Sequence, residues 1–157
     1  NLNLDNLVIA SPDMGGSKRA NVYAKLLNSG VVICYKERKQ ANEIGDMKVL
    51  GDVVEKDVVI IDDMVDTAGT LTKAADLMIK NGASSVRAYC THGILSGAAY
   101  ENLNNSKIKE LVITNTIPKN HNSLKVREIS VADFLSKTIK AVVANKSISS
   151  TWKSNNK

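Results

Sequence analysis

Two adjacent carboxylates, Asp62 and Asp63, directly follow a short apolar run in this sequence. The run, Val58–Ile61, is typical of a strand that is buried on both faces of a parallel sheet. A loop of small residues comes next, and apolar residues then recur at helical spacing, which predicts a helix that begins near Gly69 and ends near Gly82. The residues of that apolar stripe are Leu71, Ala74, Ala75 and Met78.

The loop Asp66–Thr70 has the composition of a phosphate site. Ligands of parallel α/β sheets lie beyond the carboxyl ends of the strands, and a helix N-terminus offers free N–H groups to an anion. Gly69 allows close approach of the backbone, and Thr67 and Thr70 add hydroxyl donors. The two carboxylates before the loop would repel a phosphate, so they need sugar hydroxyls or a divalent cation. The segment therefore predicts a sugar phosphate ligand, although an acidic strand end and a simple helix cap would share the pattern.

A second candidate segment follows the first predicted strand, Leu7–Ala10. Its loop, Ser11–Gly16, contains Asp13 where ligands of such sheets bind. Asp13 could equally cap the next helix, for which an apolar face is predicted. That face comprises Val22, Tyr23, Leu26 and Leu27.

Two cations follow the second predicted strand, Val31–Tyr35. Lys36 and Arg38 alternate, so at strand spacing they point the same way and could stabilise charge on transferring phosphoryl oxygens. The polar segment 36–46 is predicted to be a mobile loop over the site. A solvated basic loop is the alternative interpretation.

The remaining chain repeats the pattern of strand, loop and helix, which predicts an α/β fold with a mainly parallel sheet flanked by helices. Further strands are predicted at Val86–Thr91, Leu111–Thr114 and Val126–Ile129, and helices at Leu95–Leu103 and after Ser130. Ser130 and Asp133 have the spacing of a capping box, and apolar residues from Val131 to Val143 predict a buried helix face. His92, at the end of a strand, could contact a ligand or be structural.

Composition excludes several classes of function. The net charge of +5 is spread over scattered lysines, and aromatics are few, so no nucleic-acid partner is predicted. No apolar run approaches the ~20 residues of a membrane span. Cys34 and Cys90 lie in apolar strands and are predicted to be buried thiols. These thiols and the polar start predict a cytoplasmic protein without a signal peptide.

Five motifs in order resemble the C-terminal half of the ribose-phosphate pyrophosphokinases, which make phosphoribosyl pyrophosphate (PRPP). They are Ser11–Gly16, Lys36–Arg38, Asp62–Thr70, Thr91–Gly93 with Ser96-Gly97, and Thr114–Ile117. The tail, Ser147-Ile148-Ser149 and then Trp152, is also similar to that family. The resemblance implies a type I phosphoribosyltransferase-like domain over residues 1–152. The polar composition of residues 153–157 predicts a disordered tail.

The resemblance also implies a reaction and its residues. The family transfers diphosphate from ATP to ribose 5-phosphate with Mg²⁺, giving PRPP and AMP. Ribose 5-phosphate contacts are implied for Asp62, Asp63, Asp66, Thr67, Ala68, Gly69 and Thr70. Lys36 and Arg38 are implied as catalytic, Asp13 as linked to the metal, and Ser147 and Ser149 as a regulatory phosphate site.

The implied partners are the N-terminal half of the same enzyme, which supplies most ATP contacts, and further copies in a homo-oligomer. The isolated chain is expected to fold but to make little PRPP. Two alternatives stay open at this stage. One is a nucleobase phosphoribosyltransferase, and the other is a non-catalytic regulatory subunit of PRPP synthetase.

Overall fold

A twisted sheet with helices on both sides organises the chain. The computed structural model describes residues 4–36, 47–118 and 123–149, in which seven strands form one sheet. The strands are β1 (Leu7–Ser11), β2 (Gly30–Lys36), β3 (Met47–Leu50), β4 (Asp57–Val65), β5 (Ser85–Gly93), β6 (Glu110–Thr114) and β7 (Val126–Ile129). The helices are α1 (Ser17–Leu26), α2 (Gly69–Lys80), α3 (Ala99–Asn105) and α4 (Ala132–Val143).

The strand order, β3-β2-β1-β4-β5-β6-β7, creates a crevice between β1 and β4. These two strands pair in parallel with Ala10 opposite Ile60, yet the chain leaves them toward opposite edges of the sheet. Such a switch point is where open parallel sheets bind ligands, because the loops beyond the two strands diverge there. The mainly parallel α/β fold predicted from the sequence is confirmed, while β3, an edge strand antiparallel to β2, was missed.

The two faces of the sheet are covered differently. On one side, which we call the packed face, Val8, Val58 and Ile60 join α2 and α3 in a large buried cluster. On the other side, which we call the open face, Leu7, Ile9, Val59 and Ile61 pack against Ala20 and Ala24 of α1. Alternate residues of each strand point to opposite faces, so the unbroken apolar run 58–61 serves both clusters.

The helix after the acidic pair forms as predicted. Helix α2 buries Leu71, Ala74, Ala75 and Met78 against the sheet. It ends one residue before Asn81, and Gly82 follows with a φ of 96°. A left-handed residue just after a helix is the position that glycine favours, because it carries no Cβ.

Strand β4 is longer than predicted, because it continues through Asp62 and Asp63 to Val65. The acidic pair therefore lies within the strand, where the extra residues still pair with β5, for example Met64 with His92. Strand β4 extends beyond the end of the neighbouring strand β1, so the side chains of its last residues lie over the crevice. The apolar run marked the first buried part of the strand and did not include Val65, which is also buried at the end of β4.

Two predicted apolar helix faces are present but are not buried in the described chain. In α1 the buried positions are Ala20 and Ala24, whereas Leu26 is 72% exposed. The small alanines let α1 lie close to the sheet, so that the larger residues point away from it. Helix α4 has no buried residue, and its Val142 is 60% exposed. Periodicity located both helices correctly but named the wrong contact residues for α1.

The predicted capping box at the start of α4 is wrong. Ser130 Oγ accepts a hydrogen bond from the Ala132 amide at 3.2 Å, instead of exchanging bonds with Asp133. Asn115, just after β6, accepts a bond from the Val131 amide at 3.0 Å through its side-chain oxygen. A residue from a distant loop therefore supplies the side-chain acceptor at this helix start that the local sequence assigned to Asp133.

Both cysteines are free and buried, as predicted. Burial raises the pKa of Cys34 to about 11. Burial and then the negative charge of Asp62 raise the pKa of Cys90 to about 12. Both thiols therefore stay protonated at neutral pH.

Some predictions fall on residues that the structure does not describe. Arg38 and most of the predicted mobile loop lie outside the described residues, as do Trp152 and the tail 153–157. None of the helices in the described ranges has the length and apolar character of a membrane span.

Candidate functional site

A cavity of about 300 Å³ lies at the switch point between β1 and β4. Its walls come from the loop after β1, from the end of β4 and from the start of α2. The lining residues are Asp13, Asp62, Asp63, Met64, Val65, Asp66, Thr67, Ala68, Gly69, Thr70 and Leu71. The structure thus brings together the acidic pair, the loop Asp66–Thr70 and Asp13, as the sequence patterns predict.

The acidic pair is bridged by one cation from the neighbouring element. Arg19 Nη1 donates to Asp62 Oδ1 at 3.0 Å, and its Nη2 lies 2.7 Å from Asp63 Oδ2. The planar guanidinium offers parallel donors, which suits two carboxylate oxygens better than an ammonium group would. Arg19 therefore ties the first turn of α1 to the end of β4, across the crevice.

The two carboxylates have different electrostatic environments. Burial raises the pKa of Asp62 to about 6, and the nearby charge of Asp63 adds to this. Burial acts on Asp63 as well, but the hydrogen bond with Asp62 and the charge of Arg19 outweigh it and lower the pKa of Asp63. Asp62 is the more enclosed of the two, with 24% of its side chain exposed against 55% for Asp63. Near neutral pH the pair is ionised, with Asp62 as the group that protonates first.

The loop Asp66–Thr70 is held in a strained but defined conformation. Ala68, which precedes α2, has a φ of 60°, a left-handed backbone that costs a residue with a Cβ about 1–2 kcal/mol. Its carbonyl accepts bonds from both the amide and the hydroxyl of Thr72, each at 2.9 Å. In the described chain no side chain caps the start of α2. The first amides of this helix and the positive end of its dipole therefore point into the cavity.

A second element supports the loop from behind. Asn102 of α3 donates from Nδ2 to the Thr67 carbonyl at 2.9 Å, and Ser96 donates to the carboxylate of Asp66. The amides of Ile94 and Leu95 donate to the Val65 carbonyl at 3.0 and 3.1 Å. Helix α3 and the segment before it thus hold the loop Asp66–Thr70 in position without lining the cavity.

Asp13 lies at the cavity and also takes part in its own turn. Its Oδ1 accepts a hydrogen bond from the Gly16 amide at 3.0 Å, and its carbonyl accepts one from Ser11 Oγ at 2.6 Å. A Cβ at Gly16 would come within 2.5 Å of Ser11 Oγ, so this position requires glycine. The turn places α1 so that Arg19 can reach β4.

Other predicted site residues lie elsewhere or are not described. Lys36 ends β2 opposite Met47, but its side chain, like all of Arg38, lies outside what the structure describes. His92 Nδ1 is 2.8 Å from Thr116 Oγ1, which links β5 to the loop after β6 and favours a structural role. Ser147 and Ser149 are both exposed after α4, and Ser147 Oγ accepts the Ser149 amide at 3.2 Å.

The described residues do not by themselves form a resident metal centre. Within those ranges no group of three or more His, Cys, Asp or Glu side chains is placed to hold an ion. Asp13 Oδ1 is engaged by an amide, and Arg19 occupies one oxygen of each carboxylate in the acidic pair. Such engaged oxygens do not make up the six or more oxygen ligands of a protein cage for a divalent cation.

Sequence reasoning missed Arg19, Ser96 and Asn102 as parts of the site. For Arg19 a signal was available, because α1 has no acidic residue in its first turn and carries Lys18 and Arg19 there. A cation near the positive end of a helix dipole is unfavourable unless an anion compensates it. Ser96 belongs to one of the motifs named above, but no local signal predicts its contact or that of Asn102, since their partners lie 30 and 35 residues away in sequence.

The sheet order and the loop at its switch point define the class as type I phosphoribosyltransferase-like. The fold is similar to orotate phosphoribosyltransferase from Aeropyrum pernix, with a TM-score of 0.53 and 23% identity over 80% of this chain and 59% of that one. It is more similar to phosphoribosylpyrophosphate synthetase from Mycobacterium smegmatis, with a TM-score of 0.83 and 33% identity over 90% and 47% of the two chains.

The family follows from the sequence comparisons. The family model described as phosphoribosyl synthetase-associated domain matches residues 40–153, and the chain belongs to this family. The ribose-phosphate pyrophosphokinase of Porphyromonas gingivalis is 50% identical over 152 residues, which are 97% of this chain and 49% of that protein. The chain thus spans about half the length of the curated relatives it matches, and the resemblance noted in its motifs is confirmed.

Proposed function

We propose that this chain is the ribose 5-phosphate-binding half of a ribose-phosphate diphosphokinase. In the proposed reaction the anomeric hydroxyl of ribose 5-phosphate attacks the β-phosphorus of ATP. The bond between that phosphorus and the bridging α,β-oxygen breaks, the hydroxyl proton is lost, and AMP leaves. The products are PRPP and AMP. The relatives that carry the name of this activity are about twice as long, so a second half is proposed as a partner.

One observation carries the proposal: a single cavity joins an anion-binding helix start to a pair of carboxylates. The uncapped amides of α2 suit the 5-phosphate, with Thr67 and Thr70 as further donors. Asp62 and Asp63 have the acceptor oxygens that ribose hydroxyls need. A ligand with a phosphate at one end and hydroxyls at the other matches both parts.

The remaining proposed roles concern the transferring group. Diphosphoryl transfer needs positioning and neutralisation of charge more than covalent chemistry. Lys36 and Arg38 are proposed to stabilise the charge that develops on the β-phosphoryl oxygens. Asp13 is proposed to contribute one carboxylate to Mg²⁺ that arrives with ATP, since this ion usually keeps several waters and few protein ligands. When bound, Mg²⁺ would neutralise phosphate charge.

Calorimetric titration of the chain with ribose 5-phosphate tests the proposal. We expect Asp63→Asn to weaken binding by about 1.5–3 kcal/mol, because a hydrogen bond to a charged group is lost. Asp133→Asn, an equal change of charge on exposed α4, is the control and should bind like the wild type. An Asp63→Asn chain that is folded and binds with unaltered affinity would contradict the assignment.

The regulatory alternative is separated from the catalytic one by an activity assay. We expect the chain alone to bind ribose 5-phosphate but to form little AMP from Mg-ATP, because the second half is needed for ATP. Joined to the N-terminal half of a relative, it should form PRPP, and Lys36→Ala or Arg38→Ala should lower kcat more than they raise KM. Sugar-phosphate binding without turnover in the joined protein would favour a non-catalytic subunit.

The assembly and its regulation are proposed on the resemblance. A homo-oligomer is proposed, in which Ser147 and Ser149 help to bind a regulatory phosphate. Both serines are exposed, which leaves them accessible to a ligand. A phosphate titration of the joined protein with both serines changed to Ala should alter its activation.

A further inference from the structure

We propose that Arg19 is the specificity-determining residue of the acidic pair: it positions Asp62 and Asp63 for ribose hydroxyls and excludes a divalent cation from them. This inference rests on the proposed ribose 5-phosphate function. Sugar hydroxyls and a divalent cation would both suit two adjacent carboxylates. The ion pairs of Arg19 distinguish between these two ligands.

The geometry shows how Arg19 can hold the pair without blocking it. The guanidinium bonds to Asp62 Oδ1 and Asp63 Oδ2, one oxygen of each carboxylate. Asp62 Oδ1 also accepts the Asp63 amide at 2.9 Å, and Asp63 Oδ1 accepts the Met64 amide at 3.0 Å. Both carboxylates are therefore fixed in orientation by the protein. Arg19 therefore contacts one oxygen of each carboxylate, and the other two, Asp62 Oδ2 and Asp63 Oδ1, make no bond to the guanidinium.

The charges explain the exclusion of a cation. Two ionised carboxylates and one guanidinium leave a net charge of about −1, whereas the bare pair would carry −2. A divalent cation between the carboxylates would have to displace Arg19 or lie beside its positive charge. Ribose hydroxyls are neutral donors, so they can bond to the carboxylate oxygens without displacing Arg19 and without repulsion from its positive charge.

The position of Arg19 is built into the fold. The turn that Asp13 and Gly16 close sets the start of α1, and Arg19 lies in the first turn of that helix. Its guanidinium would be 3.6 Å from a Cβ at Gly16, so the turn and the side chain pack closely. Arg19 is only 32% exposed, which limits the alternative positions open to it.

Mn²⁺ serves as the probe for cation binding, because its paramagnetism broadens the NMR signals of nearby amides. The assay follows the amides of residues 62–64 in chains that all carry Asp13→Asn, because Asp13 lines the same cavity and its carboxylate could itself bind Mn²⁺. Asn keeps a side-chain oxygen that can accept the Gly16 amide. Calorimetry with ribose 5-phosphate supplies the second readout. With Arg19 present we expect little broadening at these amides when Mn²⁺ is added. In Arg19→Gln we expect Mn²⁺ affinity at the pair to rise about tenfold and ribose 5-phosphate affinity to fall about tenfold, since a bidentate charged contact is lost.

Two further variants sharpen the test. Arg19→Lys keeps the charge but loses the planar fork, so Mn²⁺ should stay excluded while ribose 5-phosphate affinity falls. Arg127→Gln removes an equal charge from a remote, exposed ion pair with Glu110, and both affinities should match the wild type. If Arg19→Gln does not fold, Arg19→Lys decides alone.

The outcomes separate this inference from the proposed function. Unchanged Mn²⁺ and ribose 5-phosphate binding in both Arg19 variants would overturn the inference while leaving the function intact. Strong broadening in the Asp13→Asn chain that retains Arg19 would show that Arg19 does not exclude the cation. A wild-type chain that binds no ribose 5-phosphate would instead contradict the proposed function, and the Mn²⁺ experiment would still decide whether Arg19 excludes cations.

Discussion

The packed and open faces of the sheet differ in how far the described chain covers them. On the packed face α2 and α3 enclose a large cluster in which Ile60, Met78 and Leu103 are fully buried. On the open face α1 covers only β1 and its neighbours. An apolar groove of about 770 Å³ remains there, with Tyr23 and Leu27 of α1 on its walls and Val112 on the sheet.

The difference bears on the site, because each face supplies one part of it. The loop Asp66–Thr70 leads into α2 and is braced by α3, so it belongs to the packed face. Arg19 comes from α1, so the contact that orients the acidic pair belongs to the open face. The loop is therefore anchored in the main core, whereas the contact of Arg19 with the two carboxylates depends on a smaller cluster. Three predictions follow, from the largest expected effect to the smallest.

Truncation of a core side chain should separate the two faces most clearly. Met78→Ala removes a fully buried side chain of α2 and should lower the free energy of unfolding by about 2–5 kcal/mol, through lost transfer energy and a new cavity. Leu26→Ala on α1 removes a side chain that is 72% exposed, and it should change the free energy of unfolding by less than about 0.5 kcal/mol. Urea denaturation measures both. If both variants lost the same free energy of unfolding, Leu26 would be packed more tightly than its exposure indicates.

Overpacking at the end of β5 should have a smaller effect. A Cβ at Gly93 would come within 2.8 Å of two atoms of Ile113 on the packed face, so Gly93→Ala should cost about 1–3 kcal/mol. Gly30→Ala is the control, since its Cβ would meet Val8 at an ordinary 3.4 Å. Thermal unfolding compares the two variants. A Gly93→Ala chain that melts with the wild type would mean that Ile113 can move aside.

The smallest effect should come from the pH dependence of the acidic pair, where the two faces meet. The pKa of Asp62 is raised from 3.8 to about 6 in the folded chain, so the folded state binds a proton more tightly than the unfolded state. Its contribution to stability is therefore greatest below about pH 4 and is lost as pH rises toward 6. Asp63 has a lowered pKa and acts in the opposite direction, at lower pH.

The variant Asp62→Asn should therefore lose less stability than the wild type between pH 4 and pH 6. Urea denaturation at a series of pH values measures this slope. NMR titration of the side-chain carboxyl carbon of Asp62 provides the direct check, with an expected midpoint near pH 6. A midpoint near 4 together with an unaltered slope would show that Asp62 is better solvated than its burial indicates.

Much of the fold and part of the site could be predicted from the sequence, because the necessary signals are local. The buried strand at 58–61, the stripe of α2 and the glycine after it depend on residue spacing alone. The residues around the cavity follow from the rule that parallel strands bind ligands at their carboxyl ends. The extension of β4 through Asp62 and Asp63 could not be predicted in this way, because pairing with β5 overrides the polar character of those residues.

The errors at α1 and α4 have a common physical cause. An apolar stripe shows which side of a helix avoids water, but it does not show what covers that side or how closely the helix approaches the sheet. In α1 the close approach is made by Ala20 and Ala24, and the larger residues line the groove. Arg19, Ser96 and Asn102 were missed because their partners are distant in the sequence and their roles depend on tertiary structure.

The burial of the two cysteines has a practical consequence for labelling. Thiol reagents react with the thiolate, and the raised pKa values of Cys34 and Cys90 leave almost none at neutral pH. A cysteine introduced at an exposed position such as Lys18, next to Arg19 in the sequence, would therefore be the reactive thiol of the folded chain. A single fluorophore or spin label could be attached there without first removing the native cysteines, and the core around them would remain intact.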